Sequence, residues 1–192
     1  MVNITIIVGN PVAGSYCGAL ADAYKQGAES SGHKVELLML DRMTFDPVLH
    51  EGYRREQVLE PDLVTARAAL QAADHWVLIF PLWCGDMPAL MKGFIERVLQ
   101  PDLLHVHAGG GKVSWKVFKG KSARIIMTMG MPGWFYRFYY GAHALKLVKR
   151  NILQFIGIGP VRSTIYGMVE AAGDDKRKEW LREVEALGHQ GG

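Results

Sequence analysis

Five short, near-continuous apolar runs, at residues 4–8, 35–40, 76–80, 123–129 and 161–166, constrain this chain more than any other feature. A strand that is apolar at consecutive positions has no solvent face, so it belongs in a sheet covered on both sides. Helical patterns separate the runs. Residues 15–30 carry Leu20, Ala23 and Tyr24, and Gly32 is placed to stop that helix. Residues 62–73, 88–99, 142–156 and 175–187 supply four more, with Leu145, Val148, Ile152 and Phe155 recurring at helical spacing in the fourth. Strands alternating with helices in this way predict parallel βαβ units. The expected fold class is therefore α/β: a doubly wound five-stranded parallel sheet with helices on both faces. With 192 residues, 49% of them hydrophobic, the chain supports one core, expected as a single domain over 1–188 followed by a flexible polar tail at 189–192.

Charge and composition remove several function classes. The net charge is only +3 and no basic run reaches five residues, which gives nucleic-acid binding no electrostatic footing. No apolar stretch approaches the ~18 residues needed to span a bilayer, and the start "MVNITIIVG" lacks a basic region before its apolar run. A cytoplasmic chain without membrane insertion is expected. Cys17 and Cys84 are far apart, so neither a disulfide framework nor a thiolate zinc site is indicated. The pair His105 and His107 has no third ligand at supporting spacing, so no metal is expected. Lys112, Lys116, Lys119 and Lys121 read as a solvated basic face.

The chemistry is expected in three loops that follow strands one, three and four. The first, "VGNPVAGSYCGAL", has the Gly9-x4-Gly14 spacing of a nucleotide-phosphate loop but places Ser15 and Tyr16 where that loop needs Lys and Ser or Thr. It also lacks G-x-G-x-x-G. What remains is a small turn feeding a helix N-terminus, suited to one anion without a metal, with Ser15 equally well placed as the helix N-cap. The second loop, "PLWCGDMP", leaves the third strand and enters a helix at Pro88. On that helix Leu90, Met91, Phe94, Ile95 and Val98 form an apolar face opposite Lys92, Glu96 and Arg97, and Gly93 signals a close approach by a neighbour. The third loop, "TMGMPGWFYRFYYGAH", crowds aromatic rings between Trp134 and Tyr140, which calls for a partner subunit, a planar ligand or both. An anion cradle, an apolar Trp loop and an aromatic segment at one end of a sheet describe a phosphate-bearing planar cofactor.

At these residues the sequence resembles the flavodoxin-like NAD(P)H:quinone oxidoreductases, the DT-diaphorase-like family and its bacterial relatives. The resemblance covers most of the chain. Its most specific part is Pro81-Leu82-Trp83, then Gly85, then Met87-Pro88-Ala89-Leu90, Lys92-Gly93-Phe94 and Glu96-Arg97-Val98. The resemblance implies a flavodoxin-like fold and two-electron transfer from NADPH or NADH through bound flavin to a quinone-like acceptor. It implies FMN, with FAD as the alternative and segment 41–61 as room for an adenine. It assigns the flavin phosphate to Ser15 and the backbone of Tyr16 and Cys17, with Asn10 where many members have histidine. It assigns the ring to Pro81, Leu82, Trp83, Cys84 and Gly85 and to the turn Thr128, Met129, Gly130. Tyr136 and His143 fall at or beside a catalytic tyrosine and histidine. Cys84 stands where many relatives have a second large aromatic; with nothing basic near it in sequence it is expected to be buried and inert. A homodimer is expected. Two other roles known among similar flavoproteins are a regulatory subunit of a potassium-efflux transporter and a one-electron carrier, the latter disfavoured by the positive net charge.

Overall fold

The computed structural model describes residues 1–104 and 115–192. Five parallel strands, β1 (Asn3–Val8), β2 (Lys34–Met39), β3 (His75–Pro81), β4 (Ser122–Thr128) and β5 (Val161–Tyr166), form one sheet in the order β2-β1-β3-β4-β5. This is the flavodoxin-like order, in which the winding reverses between β1 and β3 and leaves a crevice beyond their carboxyl ends. All seven residues of β3 are buried, as a central strand covered on both faces requires.

One face is covered by α1 (Tyr16–Ser30) and α7 (Asp174–Gln190), the other by α2 (Pro61–Ala72) and α3 (Ala89–Val98). Shorter helices among the described residues include α4 (Pro101–Leu104), α5 (Gly133–Phe138), α6 (His143–Lys146) and a π-helical turn over Leu147–Leu153. The helix expected at 142–156 runs from His143 to Leu153: a left-handed Ala142 precedes it, and it widens from α to π geometry at Leu147. Helix α7 outruns its expected end at 187. His189 and Gln190, expected in a flexible tail, form its last turn, Gly191 is buried, and Arg162 donates a 2.5 Å bond to the Gly192 carbonyl.

Two glycines let α1 and α7 cross closely. A Cβ on Gly27 would lie 2.0 Å from the Glu185 carbonyl oxygen, and one on Gly188 would lie 2.1 Å from that of Tyr24. The close approach expected at Gly93 is to the segment between β2 and α2, where the Pro47 carbonyl leaves 2.5 Å for a Cβ. Arg97, expected on the solvated face of α3, is fully buried and holds that segment. Its guanidinium donates to the Val58 carbonyl at 2.9 Å, to the Asp46 carbonyl and to Glu60 Oε2 at 2.8 Å. Gln100, one turn on, exchanges bonds with the Gln57 backbone at 2.7 and 2.9 Å. Lys121 likewise departs from a solvated role, donating to the carbonyls of Gln71 and Ala73 at the C-terminal end of α2.

Burial alone would raise the Glu60 carboxyl, but the Asp46 amide and the Arg97 guanidinium hold it below its ordinary value. A carboxylate depressed on folding adds stability above its unfolded pKa of about 4.3 and loses it as pH falls through the lower folded value. Glu60→Gln should therefore lose less stability than the parent between about pH 5 and pH 3, measured by urea unfolding. Parallel acid limbs would remove Glu60 from the clamp.

Candidate active site

The carboxyl ends of β1, β3 and β4 meet at a cleft of about 320 Å³. Ten residues singled out in the sequence line it: Asn10, Ser15, Tyr16, Cys17, Pro81, Leu82, Trp83, Thr128, Met129 and Gly130. The loop after β1 is shaped locally. Asn10 Oδ1 accepts from the Val12 amide at 3.0 Å, Gly14 has a positive φ of 68°, and Ser15 caps α1 by accepting from the Gly18 amide at 3.4 Å. The cap leaves the amides of Tyr16 and Cys17 without intrahelical acceptors, and no acid in the first turn offsets the positive end of the helix. The Ser15 cap therefore leaves these two amides unused.

The loop after β3 is tied to β4 by Leu82 N–H donating to the Thr128 carbonyl at 2.8 Å. Trp83 and Asp86 then exchange two backbone bonds of 2.9 Å around Cys84 and Gly85, whose φ values of 49° and 81° define a tight two-residue turn. The turn leaves Trp83 half-exposed at the rim of the cleft, but Cys84 and Gly85 sit at its tip and do not line the cleft. Cys84 is therefore exposed, contrary to expectation, because both central residues of such a turn point away from the protein body.

Cys17 forms part of the floor, its Sγ 3.5 Å from Thr128 Oγ1, and burial pushes its thiol up. Tyr16 reaches the other way: its hydroxyl donates to the Arg177 carbonyl at 2.9 Å, and burial raises the phenol to about 12. Three further lining residues, Val12, Val169 and Glu170, were not legible in the sequence. The last two arrive because Val169 N–H donates to the Met129 carbonyl at 3.2 Å, folding the chain after β5 over the end of β4. Gly167 is the available signal, since a Cβ there would lie 2.6 Å from the Gly133 nitrogen.

Tyr136 and His143 are not brought to the cleft. Helix α5 turns Tyr136 inward, where it is 1% exposed and accepts from the Leu145 amide at 3.2 Å; burial raises its phenol. His143 is exposed at the start of α6. The other rings of this segment form an exposed cluster: Phe135 stacks on Tyr139 at 4.9 Å, and Trp134 and Phe138 stand out into solvent. Segment 41–61 contributes no residue to the cleft, which removes the basis for placing an adenine there. His105, His107 and Lys112 lie outside the described residues. Among the described residues no three His, Cys, Asp or Glu side chains gather as a metal site, and no helix is long and apolar enough to cross a membrane.

Residues 2–187 match the model of a family described as having the flavodoxin-like fold, and the chain belongs to that family. An uncharacterized NAD(P)H oxidoreductase of Haemophilus influenzae is 26% identical over 90% of this chain and 86% of its own length. FMN-dependent NADH:quinone oxidoreductase 2 of Listeria innocua is 30% identical over 82% of this chain and 75% of its own. The structure of an NAD(P)H:quinone oxidoreductase from Methanothermobacter marburgensis superposes with a TM-score of 0.81 at 23% identity, covering 98% and 96% of the two chains, a likeness of fold.

The two thiols differ in access, which gives a direct check on the floor of the cleft. Cys84 should react with a thiol reagent in the folded protein and Cys17 only on unfolding. Simultaneous reaction of both would mean that the floor is open.

Proposed function

We propose that this protein is an FMN-dependent NAD(P)H:quinone oxidoreductase. The observation that carries the reading is the composition of the cleft: an unneutralised helix N-terminus at one end, and the flat apolar loop Pro81-Leu82-Trp83 beside the backbone of Met129 and Gly130. The first suits a phosphate and the second a planar ring. The relatives' activities and the FMN dependence of the Listeria protein support it. FAD is the less supported choice.

Bound FMN would supply two-electron transfer, so that NAD(P)H, a proton and a quinone become NAD(P)⁺ and a hydroquinone. The chain's own residues bind and orient. The amides of Tyr16 and Cys17, with Ser15, would hold the phosphate, and Asn10 fixes the loop beside them by accepting from the Val12 amide. Thr128 anchors Leu82 so that Trp83 is presented at the rim. The backbone of Gly130, which lines the cleft just beyond β4, would be the donor offered to the ring. Tyr136 serves as a positioning residue, joining α5 to the Leu145 amide, and His143, exposed at the start of α6, lies outside the cleft lining. The exposed rings of Trp134, Phe138 and Tyr139 form the contact of a homodimer, within a cytoplasmic enzyme.

The test is a visible spectrum of protein loaded with FMN and desalted, then treated anaerobically with NADPH or NADH and finally with benzoquinone. Retained yellow colour that bleaches with a nicotinamide and returns with quinone is expected. Ser15→Asp, which places a carboxylate at the cradle, should weaken FMN retention by about tenfold or more. Retained flavin that neither donor reduces would instead favour a carrier or a transporter subunit. Separately, Phe138→Asp should lower the apparent mass in light scattering from dimer towards monomer; an unchanged mass would place the contact elsewhere.

A further inference from the structure

Between Asp102 and Glu170 the sequence holds ten Lys and Arg and not one Asp or Glu, whereas the rest of the chain sets twelve against nineteen acids. So uneven a division points to an anionic partner for one side of the molecule. The structure concentrates it on α6 and the π-helical turn that continues it. Ala144, Val148 and Leu153 face the core, while His143, Lys146, Arg150 and Asn151 are exposed. Residues four apart are neighbours on a helix surface, so Lys146 and Arg150 form one ridge with Lys149 at its flank. Other helices pair exposed cations along their own length: Lys25 with Glu29 on α1, Lys92 with Glu96 on α3, and Lys176 with Glu179 and Arg177 with Asp174 on α7. The side chains of Lys146, Lys149 and Arg150 enter no ion pair or hydrogen bond among the described residues. Like charges at this spacing destabilise a helix, so the ridge does not serve the fold.

The ridge ends at two half-exposed rings. Phe155 is 48% exposed and Trp115 40%, with ring centroids 5.6 Å apart. The turn after Trp115 is tied to the helix end by Phe118 N–H donating to the Ile156 carbonyl at 3.0 Å, and by Gly157, where a Cβ would lie 3.1 Å from Lys116 Cα. That turn brings the exposed Lys116 and Lys119 beside the rings. Across a groove from Asn151 and Phe155, the Glu96 carboxylate is already paired with Lys92. Cations next to exposed Trp and Phe narrow the choice of partner. An acidic protein offers charge alone, and a nucleic-acid strand long enough to wrap would also meet the acidic remainder of the chain. A flat anionic bilayer meets one side only, offering phosphates to the cations and an interfacial layer to the rings.

We propose that this ridge docks the protein reversibly on the headgroups of an anionic lipid bilayer, with Lys146, Lys149 and Arg150 against lipid phosphates and Trp115 and Phe155 in the interfacial layer. No segment inserts. The rings given above to the homodimer contact lie on and next to α5 and are not part of this surface. Docking does not rest on the oxidoreductase reading, to which it would add access to quinones dissolved in the bilayer. Sedimentation of the full chain with lipid vesicles, of phosphatidylcholine alone or mixed with phosphatidylglycerol, tests it at low and at high salt. Binding to the mixed vesicles at low salt, its loss at high salt and no binding to phosphatidylcholine alone are expected. Lys146→Gln with Arg150→Gln should weaken binding about thirtyfold. Lys25→Gln with Lys176→Gln, the same loss of charge from α1 and α7, should leave it nearly unchanged. No binding to the mixed vesicles, equal affinity of the two double variants, or salt-insensitive binding to phosphatidylcholine overturns the proposal. So does release from the mixed vesicles by single-stranded DNA or polyglutamate at equal charge, which would mark a different polyanion as the partner.

Discussion

A parallel sheet cannot stand with one face in water, because each crossover lays a helix on it, and everything in this molecule answers to that demand. Strand β3 is buried along its whole length, and the strands on either side of it wind in opposite senses. The reversal forces the connections after β1 and β3 apart, one towards each face. The cleft is the gap that results. It exists before any residue is chosen to line it, and Asn10, Trp83 and Gly130 occupy it because of where their strands end.

The buried charge of Arg97 is the second organising element. A guanidinium taken out of water is costly unless its donors are met, and here two backbone carbonyls and a carboxylate meet its two terminal nitrogens, though not its Nε. The segment between β2 and α2 has little regular structure of its own, only single turns over Leu40–Arg42 and Gly52–Arg54. Its fixed path comes from Arg97 and Gln100 on the far side of the chain. A long connection is thus ordered by polar bonds to a helix that also forms the core.

The inner strands were legible because a doubly covered strand is apolar at nearly every position, while the edge strands β2 and β5 carry partly exposed polar residues and gave a weaker signal. Loop position marked out the three candidate loops, and the family resemblance supplied most of the individual lining residues. What escaped depends on distant partners. Arg97 has a place in the helical pattern that fits solvent as well as burial, and only the segment it holds decides between them. Cys84 looked like a buried thiol until the Trp83–Asp86 bridge made it the tip of a turn. Tyr136 matched a spacing, but the direction of α5 sets where its hydroxyl points. Val169 and Glu170 enter through a backbone bond to Met129, which leaves no trace in side-chain type.

The crossing of α1 and α7 at Gly27 and Gly188 has a mechanical consequence. With backbone against backbone between Tyr24–Ala28 and Glu185–Gly188, sliding or rolling one helix on the other would bring the two chains into collision, so the pair acts as one beam. The N-terminal end of that beam carries Ser15, Tyr16 and Cys17, and Tyr16 adds a strut to Arg177 near the start of α7. The amides at that end are thus set in position by the fold itself. The freedom left to the cleft lies on the other side, in the short turn that carries Trp83.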